Sequence, residues 1–242
     1  MATATHYAEY RSPQFASRAS SWRLFTLLPA AGLLWALWMQ QQGLPTSYYQ
    51  TWSGFVLVAA LVAATLVDLA HHKIPNYVTY PAWAWLASLS LLQFVVHTAD
   101  GGEALSIGAA RWVGILGAQS IADYLTGFGA CFGVMFLLFA CGAGGGGDVK
   151  LAAVIGGALG AVDGLTALVV AHIVAGTFAL ALAVVKYGPV AVFGLLGRKI
   201  GSVFFPVWIL PPDREAARLL ATPVPLSPFF LVGVGYAVWQ MA

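Results

Sequence analysis

The chain has 242 residues, of which 60% are hydrophobic and only 8% charged, with a mean hydropathy of +0.82. An ordinary soluble domain carries about 25% charged residues, so lipid rather than water must cover most of this surface. The formal net charge of +2 is too small to point to nucleic acid as a partner.

In chain order, residues 1–21 form a polar tail with Arg11 and Arg18 among Ser, Thr and Ala, and residues 22–242 read as one integral membrane domain. The first apolar run, Trp22–Met39, lacks a small-residue cleavage site and reads as an anchor rather than a removed signal. Further spans are expected at about Gly54–Leu69, Tyr77–His97, Ile121–Cys141, Val149–Val162, Leu165–Lys186 and Leu226–Met241. Two stretches read as interfacial: Ala104–Gln119, interrupted by Arg111, and Pro189–Trp208, interrupted by Arg198 and Lys199. The expected fold is therefore all-α, a polytopic membrane bundle of about six to seven spans plus interfacial segments. Cys131 and Cys141 stand ten residues apart and form no CxxC pair, so they give no support to a zinc site or a disulfide framework. No cofactor or metal is called for.

Basic residues orient the bundle. Arg11, Arg18 and Arg23 place the N-terminus in the cytoplasm, Lys73 and Lys150 mark two later returns, and the loop with Asp100 and Glu103 suits the outside. Asp68 and Asp148 then emerge at one cytoplasmic face. Asp68 precedes the helix-stopping Pro75 by seven residues, roughly 10 Å of helical rise, and so lies below the membrane surface. An ionisable group in that position is expensive, and such a cost points to function. Two carboxylates held close together cannot both ionise cheaply; one keeps its proton and the other remains a base. That is the apparatus of general acid–base hydrolysis of a peptide bond.

The stretch "GGGGDVKL" gives the carboxylate of Asp148 a run of glycines before it. Residues without Cβ let another backbone approach closely, and irregular backbone at membrane depth is tolerated only where it is buried or lines a wet cavity. Gly142–Gly147, with Gly145, Gly146 and Gly147 next to the carboxylate, are accordingly expected to form a cavity wall. Lys150 is expected to snorkel to lipid headgroups, with tuning of Asp148 as the alternative. His71, His72 and Lys73 read as a basic collar against anionic lipid. The prolines at 223, 225 and 228 either stop a helix or shape a substrate path.

Taken together, Gly145-Gly146-Gly147-Asp148 resembles the GxGD signature of intramembrane aspartic proteases. "DLAHHKIPN", from Asp68 through Pro75 to Asn76, resembles the other half of the type IV prepilin peptidase pattern. "VPLSPFFLVG", with Pro225 and Pro228, resembles the proline-rich entry to that family's last helix, and the likeness runs over about Gly54–Gly233. It implies that Asp68 and Asp148 are a catalytic pair and that the partner is a prepilin or pilin-like membrane protein. It further implies a bacterial inner-membrane location with the site facing the cytoplasm. The chain departs from the bifunctional members in lacking two CxxC pairs and the methylating domain they mark, and so resembles the short, peptidase-only branch similar to enzymes serving tight-adherence pili. A proton-coupled transporter using the same two carboxylates and a non-catalytic pilus-assembly factor remain the alternatives. The sequence leaves the oligomeric state open.

Overall fold

A computed structural model describes residues 31, 33–39, 41, 51–99, 107–204 and 224–241, with side chains except at 107–111 and 203–204. The polar tail, most of the first expected span, the acidic loop with Asp100 and Glu103, and the stretch carrying Arg214, Arg218 and Pro223 lie outside these residues.

After a helical piece at 33–39, the described residues form eight helices: α1 Trp52–His71, α2 Asn76–Ala99, α3 Ile107–Leu116, α4 Ile121–Ala140, α5 Gly146–Leu159, α6 Ala161–Tyr187, α7 Pro189–Phe204 and α8 Ser227–Met241. The class is all-helical, as expected, and the arrangement is a polytopic membrane bundle. Four stretches among the described residues are long and apolar enough to cross a membrane: α1, α2, Trp112–Ala140 (which includes α4) and α6. The expected six to seven exceeds this count for physical reasons. The first expected span lies mostly outside the described residues, while α5 and α8 have only 14 and 15 residues. The ten-residue α3 is too short to cross a bilayer.

The short α5 is the axis of the bundle. Val149 and every residue from Leu151 to Leu159 are buried, with α4, α2, α6 and α1 packed around it. The sequence "LAAVIGGALG" has small residues on several faces, which permits that enclosure. In lipid, helices associate through close packing and hydrogen bonding rather than hydrophobic burial. The tightest example joins α4 to α5: a Cβ on Gly127 would strike the carbonyl oxygen of Gly156, and a Cβ on Gly156 would strike that of Gly127. Gly160, at φ +83, then turns the chain directly from α5 into α6. The helix therefore breaks at Gly160, inside the expected span Val149–Val162. Around the axis, large side chains such as Leu66, Leu125, Leu137 and Val185 are exposed, the surface expected where lipid is the solvent.

Two helix ends bring the distant motifs together. His72 closes α1 in the left-handed conformation, φ 50, with its N–H donating to the Asp68 carbonyl at 2.8 Å. Pro75 then separates α1 from α2. At the second end, Cys141–Gly145 joins α4 to α5, and Gly147 at the start of α5 sits against Ile74, just beyond the end of α1.

Candidate active site

Asp68 lies in the last turn of α1 on the stripe that also buries Leu57, Leu61, Ala64 and Thr65. It is only 6% exposed. A carboxylate so placed needs donors, because an unpaired buried charge is costly. One comes from α8: the Ser227 hydroxyl donates to Asp68 Oδ2 at 2.6 Å, and the Ser227 N–H points to the same oxygen at 3.5 Å. Ser227 is fully buried. The contact ties the end of α1 to the start of α8 across 159 residues of sequence. One turn back along α1, the buried Thr65 hydroxyl has no hydrogen-bond partner among the described residues, adding a polar group on the carboxylate's stripe.

Asp148 stands in the first turn of α5, the third residue after Gly145, which precedes that helix. Its Oδ2 accepts the Gly145 N–H at 2.9 Å. This satisfies a donor at the helix entrance and fixes the side chain's orientation. Asp148 is half-buried. His172, on α6, is held by a 2.7 Å contact between Nδ1 and the Leu168 carbonyl and packs edge-on to Phe230 of α8.

The two motifs are also joined mechanically. The Lys150 ammonium donates to Asn76 Oδ1 at 2.7 Å and lies over the Tyr80 ring at 5.0 Å. The Trp83 indole donates to the Lys150 carbonyl at 3.1 Å. Lys150 therefore reaches sideways to α2 rather than freely toward headgroups. Beside this clip, a Cβ on Gly147 would lie 2.8 Å from Ile74 Cβ, so the α1–α2 connection rests directly on the start of α5.

The expected site residues divide accordingly. Asp68, Asp148, Gly147, Lys150 and Asn76 gather where α1, α2 and α5 meet. Gly145 contributes its N–H to Asp148, while Gly146 is exposed and its nearest side-chain neighbour is Phe139. Pro75 is half-buried in the α1–α2 connection, and Pro225 and Pro228 are half-buried on either side of Ser227. His71, His72 and Lys73 are exposed. Ser227 is the participant that sequence reasoning missed. Its signal was a hydroxyl residue directly before a proline at a helix start, the pattern of an N-terminal boundary.

With one oxygen of each carboxylate held by the protein, the arrangement suits acid–base chemistry on a polar bond brought between them. Residues 55–180, a little over half of the chain, match the family model described as the type IV leader peptidase family. No curated protein matches the chain. No solved structure matches it either.

Proposed function

Since the chain belongs to the type IV leader peptidase family, a family of proteases acting on membrane-protein substrates, we propose that it is an aspartic endopeptidase with Asp68 and Asp148 as its catalytic pair. The substrate is a type IV prepilin or pilin-like protein, a short basic leader followed by a hydrophobic helix. The cut falls at the cytoplasmic boundary of the bacterial inner membrane. Peptide cleavage is the activity proposed for these 242 residues, whose two cysteines form no CxxC pair.

The observation that carries this reading is the placement of two carboxylates at helix ends that meet through the contact between Ile74 and Gly147, each with Oδ2 already engaged. Ser227 holds one and Gly145 the other, which assigns Oδ1 of each to water and substrate. One carboxylate is ionised and takes a proton from the attacking water. The other is protonated and donates to the carbonyl oxygen as the tetrahedral gem-diol forms; the C–N bond then breaks as the proton held by the first passes to the leaving amine and a diol hydroxyl returns its proton to the second. The buried surroundings of Asp68 limit solvent access and strengthen these charge interactions.

A substrate helix cannot be cut while its peptide groups bond internally. The leader boundary must be extended beside the pair, and the exposed Gly145 and Gly146 next to Asp148 leave room for it to approach there. The test is co-expression with a prepilin: the wild-type chain converts precursor to mature pilin, whereas Asp68→Asn and Asp148→Asn each leave precursor uncut at matched membrane levels.

A further inference from the structure

Ser227 places its hydroxyl 2.6 Å from Asp68 Oδ2, and the surrounding backbone shows that this hydroxyl is not needed to cap its own helix. Pro228, the next residue, has no N–H to satisfy. The N–H groups of Phe229 and Phe230 are both taken by the Leu226 carbonyl, at 3.0 and 3.3 Å. The donors that a serine normally accepts at a helix start are thus already absent or paired. Its one hydroxyl proton goes to Asp68 instead.

The local sequence favours this aim. Pro228 restricts the backbone of the residue before it, and Pro225 fixes a second dihedral two residues upstream of Ser227. Ser227 is fully buried and Asp68 nearly so, so water does not readily replace the bond.

We infer that Ser227 is a positioning residue: by occupying Oδ2 of Asp68 it fixes the carboxylate's rotation and leaves Oδ1 as the oxygen presented to water and the scissile peptide. This rests on the reading of Asp68 and Asp148 as the catalytic pair. Without the hydroxyl, the carboxylate can rotate, and the fraction of complexes aligned for proton transfer falls. Ground-state binding of the substrate's hydrophobic helix is unaffected, so the loss belongs in kcat and not in KM.

The experiment compares the full-length wild type with Ser227→Ala, Ser227→Cys and Ser227→Thr in detergent or proteoliposomes, measuring kcat and KM for a purified prepilin. Asp68→Asn and Asp148→Asn are run in parallel. Ser227→Cys is close to isosteric, preserving the packing of the buried position while supplying only a weak donor, and it carries the test if Ser227→Ala fails to fold. The expected result is a roughly 10- to 100-fold fall in kcat for Ala and Cys, with KM within about twofold and unchanged melting for Cys. Ser227→Thr, which keeps the hydroxyl, should recover more activity than Cys despite its extra methyl. Wild-type kcat in a folded Ser227→Cys chain, or a loss appearing in KM, overturns the inference while leaving the aspartate pair intact. Activity in both aspartate variants would instead remove the proposed function itself.

Discussion

Replacing Gly147 by alanine adds one atom where the structure has no room for it. The new Cβ would lie 2.8 Å from Ile74 Cβ, 3.4 Å from Ile74 Cγ1 and 3.5 Å from Ile74 Cα. The closest of these is at the root of the side chain, so a rotamer change of Ile74 cannot relieve it. The α1–α2 connection and the start of α5 must instead part by roughly 1 Å to reach ordinary contact. Overpacking of this kind costs about 1–3 kcal/mol. The same displacement acts between the elements that carry Asp68 and Asp148, and a misplacement of about 1 Å is enough to cost about 100-fold in rate. Prepilin cleavage by Gly147→Ala should therefore fall about 100-fold while the protein still inserts. Gly146→Ala, whose Cβ meets only Phe139 Cε2 at 3.9 Å, should lose less than about tenfold. Ile74→Ala retains the clashing Cβ and should not rescue Gly147→Ala, whereas Ile74→Gly removes it and should restore part of the rate. Wild-type cleavage by Gly147→Ala would refute the close-contact argument, as would rescue by Ile74→Ala.

The same geometry sets three other expectations. Lys150→Met and Asn76→Ala each break the 2.7 Å link between α5 and α2, so each should slow cleavage, and the double variant should be no slower than the worse single one; additive losses in a double-mutant cycle would show that the link is not the shared cause. Gly156→Val presses a side chain on the Gly127 carbonyl and on Cys131, so its melting in detergent should show a loss of about 3 kcal/mol or more, and an unchanged melting curve would contradict the α4–α5 packing. Cys141 is exposed and Cys131 fully buried; a membrane-impermeant maleimide should label Cys141 alone, in inside-out but not right-side-out vesicles, and labelling from the outer face would reverse the proposed orientation.

The parts of this molecule that hydropathy and charge govern directly were legible in the sequence. An aspartate in an apolar run is conspicuous because few residues cost more there, and both Asp68 and Asp148 stood out on that ground. The helical class followed for a similar reason, since a chain in lipid must satisfy its backbone within helices or a closed barrel. The end of α5 was harder to see. Gly160-Ala161-Val162 continues the apolar pattern without interruption, so the only local mark of the break is a glycine that can adopt φ +83. Hydropathy also cannot separate a lipid-facing span from a short helix enclosed by its neighbours, as α5 is. Pairings between distant segments were beyond local reading. Lys150 meets a residue 74 positions away and Ser227 one 159 positions away, and both partners are chosen by how the helices pack rather than by their flanking sequence.

The most direct measurement of the central claim is cleavage of a prepilin by the purified chain in proteoliposomes, comparing wild type with Asp68→Asn and Asp148→Asn at equal reconstitution and equal melting temperature. The account predicts precursor converted to mature pilin by the wild type, with the cut on the leader side of the hydrophobic helix, and no conversion by either variant. Conversion at the wild-type rate by either variant would contradict it, because one carboxylate cannot take the proton from water and protonate the carbonyl oxygen in the same step.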